Sequence, residues 1–206
     1  VEATYPTSTE QDIQQAIEKA DRAYQDWRKV TLEERSALLH KIADIYLERQ
    51  DELARIVAAE MGKPIAQAKG EIGLVADIFR YYADNAAQLL APHTIDVDSG
   101  SALVEKRPVG VLLGIMPWNY PHYQVARFAA PNFMAGNTLI LKHAPQCPKT
   151  AEVIVDIFKE AGLPEGVYNN VFATNEQAAT IIEDQRVHGV SLTGSARAGQ
   201  AVAKIA

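Results

Sequence analysis

Residues 109–121 read VGVLLGIMPWNYP, an apolar run followed by a bracketed turn. Val109 to Met116 has the length and character of a strand buried on both faces. The turn Pro117-Trp118-Asn119-Tyr120-Pro121 follows at once. Its two prolines fix φ and remove two backbone donors, which leaves the Asn119 amide on a stiff turn at a strand's carboxyl end. An NH2 group held rigidly there can donate to an oxygen that gains negative charge during a reaction. A proline-bracketed turn without chemistry is the alternative, and the residues downstream decide between them.

Downstream, apolar runs alternate with helical patterns. Strands are expected at Val109–Met116, Asn137–Lys142, Val167–Phe172 and Gly189–Thr193. Helices are expected at about Tyr123–Met134, Lys149–Ala161, Glu176–Asp184 and Ala196–Ile205. Short apolar strands between helices imply an α/β fold with a parallel sheet covered on both faces. Gly136 and Gly162 stand where helix-ending glycines belong. The last helix carries apolar Val202 and Ile205 without a closing Gly or Pro, so the pattern reads as an incomplete βαβ unit. The expectation is the first part of a longer protein.

Working upstream, residues 94–107 read as a hairpin. Ile95 and Val97 alternate with polar residues, and Asp98-Ser99-Gly100-Ser101 forms the turn. Such a ribbon must cover its apolar face, and a subunit interface is one way. The first ninety residues read as helices. Ser8-Thr9-Glu10-Gln11 offers capping groups ahead of Ile13, Ala16, Ile17, Ala20, Tyr24 and Trp27 at helical spacing. Thr31 with Glu34 forms a second capping box, ahead of Leu38, Ile42, Ile45 and Tyr46. A third helix spans about Gln50 to Glu60 and breaks at Gly62-Lys63-Pro64. A long fourth follows, with Ile65, Ala68, Ile72, Val75, Phe79, Tyr82 and Leu89. Three parts result: a helical region over 1–93, a hairpin over 94–108 and a sheet region over 109–206.

The composition narrows the function classes. The net charge of −6 comes without a long basic run, which argues against nucleic acid as a partner. No apolar stretch approaches the roughly 20 residues that span a bilayer, and the start lacks a signal-peptide pattern. The single cysteine, Cys147, excludes an internal disulfide and suits a reducing cytoplasm. The five histidines show no paired ligand spacing, so no metal is expected. His122 adjoins the turn and reads as a packing or surface residue.

In open α/β sheets ligands bind outside the carboxyl ends of the strands. Asn119 follows the first strand, Lys142 ends the second, and Thr193-Gly194-Ser195 ends the fourth and opens a helix. Gly194 permits close backbone approach. Ser195 places a hydroxyl beside free helix N–H groups and suits a phosphate, or else serves as a plain N-cap. Lys142 can bond ribose hydroxyls or a phosphate, or else is a solvated strand-end lysine. No Gly-x-Gly-x-x-Gly occurs, and Gly194 to Gly199 lacks the Lys and Ser/Thr of a P-loop.

Four ordered motifs carry a resemblance that covers nearly the whole chain. They are Pro117 to Pro121, then Ala135-Gly136-Asn137-Thr138-Leu139-Ile140-Leu141-Lys142, then Gly162-Leu163-Pro164-Glu165-Gly166-Val167, then Leu192-Thr193-Gly194-Ser195. The chain resembles the amino-terminal portion of the aldehyde dehydrogenase superfamily. The resemblance implies a Rossmann-like sheet that binds NAD or NADP and an aldehyde oxidised to a carboxylic acid. It implies that Ile115, Met116, Pro117 and Trp118 line the cofactor, that Lys142 contacts the adenosine ribose, and that Gly194 and Ser195 meet the pyrophosphate. Asn119 becomes the oxyanion donor to a thiohemiacetal.

The sequence departs from the family in two places. Lys142-His143-Ala144-Pro145 replaces a motif whose acidic residue would repel a 2′-phosphate, so Pro145 should tolerate NADP. This form is similar to the succinate-semialdehyde branch. In that branch a position like Arg127, two helical turns beyond the Asn119 turn, binds a distal carboxylate; Tyr120 would line the same substrate path. A surface arginine or structural ion pair is the alternative for Arg127. The nucleophilic cysteine and general-base glutamate of the family lie downstream of these residues, and Cys147 reads as an incidental loop thiol near the adenosine end, far from the nicotinamide. A homo-oligomer, dimer or tetramer, is expected from the hairpin. A non-catalytic chain that binds nucleotide or pairs with full-length subunits is the competing reading, with a purely structural fragment as the third.

Overall fold

The computed structural model describes residues 3–206. Four helices come first: α1 (Glu10–Trp27), α2 (Leu32–Glu48), α3 (Gln50–Met61) and α4 (Ile65–Leu90). Both expected caps form. Thr9 and Thr31 each accept from the amide three residues on, and the Asp12 and Glu34 carboxylates accept from the cap amides in return. Gly62 ends α3 at φ 74°, where a side chain would be strained. A two-stranded antiparallel ribbon follows, β1 (His93–Ile95) and β2 (Ala102–Val104), with His93 opposite Val104. It is shorter than expected, and Ile95, Val97 and Leu103 are exposed on it or its turn.

The sheet region runs β3 (Val111–Met116), α5 (Pro121–Ala135), β4 (Thr138–His143), α6 (Pro148–Ala161), β5 (Tyr168–Asn170), α7 (Asn175–Glu183), β6 (Val187–Leu192) and α8 (Ala196–Ala203). Its four strands are parallel, in the order β5-β4-β3-β6. The chain builds outward from β3 through β4 to β5, then returns to the other side of β3. The strand order therefore reverses beside β3, and a crevice outside the carboxyl ends is the geometric consequence.

The observed boundaries differ from the expected ones for physical reasons. β3 begins at Val111 and not at Val109, because the amides of Val109 and Gly110 both donate to Asn137 Oδ1, at 2.7 and 3.0 Å. Gly110 has φ 135°, outside strand geometry. α5 begins at Pro121, since proline at the first helical position sacrifices no bond. β5 shrinks to three residues at the sheet edge, and β6 starts two residues early.

The two faces of the sheet are covered by different helices. Val111, Leu113 and Ile140 pack against Ile13, Ile17 and Ala20 of α1 and Ile181 of α7. Met116, Leu139 and Leu141 join the larger core with α2, α4, α5 and α6. Every residue of β4 is buried, as a central parallel strand requires, whereas β6 is only half-buried and α8 contributes no buried residue. Arg35 joins the layers. Its guanidinium donates to Met134 O at 2.9 Å and Trp27 O at 2.7 Å, the carboxyl ends of α5 and α1. A cation there also meets the negative ends of two helix dipoles.

Candidate active site

The carboxyl ends of β3, β4 and β6 align along one rim. Ile115 lies opposite Lys142 on one side and Leu192 on the other, and Thr193 N donates to Ile115 O at 3.1 Å. The Asn119 turn, Lys142 and Ser195 therefore share this edge, with Asn119 and Ser195 flanking the reversal of strand order. Lys142 opens onto a separate part of it. A cavity of about 820 Å3 is lined by Lys142, His143, Pro145, Phe172 and Thr174, with Glu176 as its acidic residue. Asn119, Trp118, Gly194 and Ser195 do not line that cavity.

Lys142 is only 8% exposed, and among the described residues its ammonium has no hydrogen-bonding or carboxylate partner. Burial lowers its pKa. Lys142 lines the cavity, so acceptors brought from outside the chain can reach its ammonium. Pro145 is exposed at the mouth and carries no charge.

Helix N-termini on a rim attract anions, but here several are already filled by protein. Glu71 Oε1 accepts from the amides of His122 and Tyr123, at 2.9 and 3.1 Å, at the start of α5. The Glu60 carboxylate accepts from Lys149 N at 2.6 Å and from Thr150 N at 3.0 Å at the start of α6. A Thr174–Gln177 capping box closes α7. At α8 only the Ser195 hydroxyl acts, accepting from Ala198 N at 3.2 Å. Ser195 is thus the N-cap that its alternative reading described. Its hydroxyl proton stays available, because the cap uses the oxygen as an acceptor. Gly194 has no positive φ, and an added Cβ would meet only ordinary contacts, the nearest at 3.5 Å. The fold itself does not demand glycine there.

The turn is held from beneath. His143 donates from Nε2 to Pro121 O at 2.9 Å and accepts at Nδ1 from Ala144 N at 2.8 Å, which fixes its tautomer. Burial pushes His143 down to about 4 and His122 down to about 3; Lys142 adds to the shift of the first, and His143 and then Lys63 to that of the second. His122 is fully buried, with Nδ1 3.3 Å from the Tyr46 hydroxyl, so its packing role holds and a surface role does not. Above this support Pro117 is half-buried, and Trp118, Asn119 and Tyr120 are exposed. The Asn119 amide makes no hydrogen bond among the described residues. Ile115 and Met116 are half-buried and buried at the strand end beneath it.

Cys147 is closer to the turn than its loop position suggested, with Sγ 3.8 Å from Trp118 O. It is completely buried, and burial, aided by Glu60 and Glu71, pushes its thiol up to about 12. It carries no reactive thiolate. Arg127 lies on α5, exposed, 5.6 Å over the Tyr123 ring, and Tyr123 in turn meets Tyr120 at 5.9 Å. The helical spacing of these residues puts them on one face. Among the described residues Arg127 pairs with no carboxylate, so the structural ion pair is not seen. It lines two shallow hollows, one with Asn132 and Ser191, the other with Asp77 and Tyr81, and does not reach the Lys142 cavity.

Lys63 and Glu71 escaped the sequence reading, Lys63 because it stood inside a helix breaker. The visible signal was a lone acidic residue, Glu71, among the apolar positions of α4. Among the described residues no cluster of three or more potential ligands could hold a metal, and no helix is long and apolar enough to cross a membrane.

Comparison with known proteins gives a concordant picture. A model of the aldehyde dehydrogenase family matches residues 1–206. The chain is 47% identical over 203 residues to a succinate-semialdehyde dehydrogenase [NADP(+)] of Deinococcus radiodurans, covering 98% of this chain and 43% of that protein. It is 39% identical to the succinate semialdehyde dehydrogenase [NAD(P)+] Sad of Escherichia coli, covering 96% and 43%. The crystal structure of succinic semialdehyde dehydrogenase from Streptococcus pyogenes in complex with NADP+ superposes with a TM-score of 0.96 at 42% identity, over 98% of this chain and 45% of that one. The chain spans less than half the length of these relatives.

Proposed function

The chain belongs to the aldehyde dehydrogenase family, and from that premise we propose that it forms the cofactor-binding part of an NAD(P)-dependent enzyme that oxidises an aldehyde to a carboxylic acid. Succinate semialdehyde is the aldehyde that the site favours. One observation carries the reading: an unengaged asparagine amide stands on a braced turn at the point where strand order reverses. A bound nicotinamide would supply the hydride acceptor for this oxidation. The chain's own residues do the rest. Lys142, buried and without a protein acceptor, would bond the adenosine ribose. Uncharged Pro145 leaves room for a 2′-phosphate, so NADP+ and NAD+ are both accepted. Ser195 would donate its hydroxyl proton to the pyrophosphate at the one sheet-helix N-terminus that, among the described residues, lacks a carboxylate or carboxamide cap. Gly194, which the fold does not require, would admit the ligand's close approach. Ile115, Met116, Pro117 and Trp118 would line the cofactor beside them.

Asn119 would donate to the oxygen that becomes negative as a nucleophile adds to the aldehyde carbon. The nucleophile comes from chain other than these residues, since Cys147 is buried and protonated. Arg127, unpaired and on the Tyr120 face of α5, would hold the distal carboxylate of the substrate, with Tyr120 lining its path. The exposed apolar hairpin residues suit a subunit contact in a cytoplasmic homo-oligomer, dimer or tetramer. For the 206 residues alone, the buried cysteine favours nucleotide binding without turnover.

The test is Asn119→Ala in the longer protein that carries this chain. Loss of one oxyanion donor should lower kcat for aldehyde oxidation by about 100- to 1,000-fold, with little change in NADP+ affinity. An unchanged kcat would remove Asn119 from the chemistry.

A further inference from the structure

We propose that the buried pair Lys63–Glu71 is the device that positions Asn119, a claim that rests on the oxidation reading above. Glu71 is 2% exposed on α4, and Lys63 is 8% exposed in the link between α3 and α4. They pair with each other through Glu71 Oε2. The second oxygen of Glu71 takes the amides of His122 and Tyr123, while the Lys63 ammonium lies 3.7 Å over the centroid of the Tyr120 ring. The residues just after Asn119 are thus gripped by one ion pair through a ring and two N–H groups. The Pro121 carbonyl between them is held by His143.

Glu71 has a second consequence for Asn119. α5 has no side-chain cap of its own. Asparagine is a strong N-capping residue, and its side chain is drawn to unfilled amides in the first turn of a helix. Glu71 fills the His122 and Tyr123 amides from another helix. The Asn119 side chain, two residues before the first residue of the helix, has no hydrogen-bond partner among the described residues and stays exposed. Glu60 caps α6 in the same manner, which shows that α3 and α4 supply carboxylates to both helices after the central strands. Only the α5 cap adjoins a group with proposed chemistry. Lys63 orients the carboxylate through their contact, and its ammonium over the Tyr120 ring holds the entry to the helix.

The test uses the longer protein that carries this chain, with Glu71→Gln, Lys63→Met and the double variant. The double variant buries no unpaired ion and carries the test if either single variant fails to fold. Two readouts are needed. Amide hydrogen exchange at His122 and Tyr123 should become about tenfold faster or more in the double variant. Its kcat should fall about tenfold or more while the Kd for NADP+ stays within about twofold, because a misplaced donor weakens only the reacting arrangement. In an Asn119→Ala background the same substitutions should cost less than about twofold, since the group they misplace is already gone. Equal losses in both backgrounds would overturn the proposal, and so would unchanged exchange at the turn. If Asn119→Ala alone leaves kcat intact, the oxidation reading fails instead, and the exchange data then decide whether the pair holds the turn.

Discussion

Lowering the pH from 7 to 5 should cost the folded protein about 2 kcal/mol through His143 alone. The ring is 6% exposed, its Nε2–H is committed to Pro121 O, and its Nδ1 accepts from Ala144 N. A second proton has to enter at Nδ1, where it breaks the Ala144 bond in a buried site. Burial accordingly pushes the imidazole from 6.5 to about 4. The unfolded chain takes up this proton near pH 6.5, and the folded chain refuses it until about pH 4. Stability from this group is therefore complete above pH 6.5, falls between 6.5 and 4, and levels off below. The full gap is roughly 3 kcal/mol, at about 1.4 kcal/mol per pH unit, and some 2 kcal/mol of it is gone at pH 5. The assay is denaturant unfolding at pH 7, 6 and 5 for the wild type and for His143→Gln, whose amide nitrogen can keep the Pro121 bond. The Gln variant should lose about 2 kcal/mol less across the range. Its carboxylate background is the same, and carboxylates held below their usual range, such as Asp12 and Glu34, titrate below this window. His122, pushed down to about 3, contributes a similar loss to both proteins. Parallel pH dependences would refute the buried neutral imidazole and with it the brace beneath the Asn119 turn.

Arg127→Met in the longer protein should raise KM for succinate semialdehyde about tenfold or more and leave KM for an uncharged aldehyde within about twofold; equal effects would reject the carboxylate role. Cys147 in this chain should resist a disulfide-exchange reagent in the native state and react only after unfolding, because the thiol is buried and held at about 12. Glu60→Ala should cost about 1–2 kcal/mol in thermal unfolding, since the amides of Lys149 and Thr150 and the Thr150 hydroxyl lose their acceptor together. Gly136→Ala should destabilise by roughly 1–3 kcal/mol: φ is 92°, and a Cβ would stand 3.0 Å from the Arg35 guanidinium that ties α5 to α1.

Much of the site was legible because its signals are local. Prolines around Asn119, Gly62, Gly136 and Gly162 at helix ends, and Thr31 with Glu34 each act through their own backbone within a few residues. Period alone also placed Ile13, Ile17 and Ala20 in the core. It erred where neighbours decide. Ile65 and Leu89 look like the buried stripe of α4 yet are exposed, and on α2 the expected Leu38 is only half-buried while Leu39 and Arg35, not named for that face, are buried. Cys147 looks in sequence like an incidental loop thiol, and only the tertiary structure brings its sulfur to 3.8 Å from Trp118 O.

Residue order alone determined the alternation of strand and helix, the rigid turn and the presence of asparagine, lysine and serine after successive strands, because dihedral limits and hydrophobic period act at short range. Tertiary structure decided which side chains stay free to meet a ligand. Glu71 lies 51 residues from the His122 amide that it caps. A partner that distant is chosen by how helices pack on the sheet, and no local pattern records it.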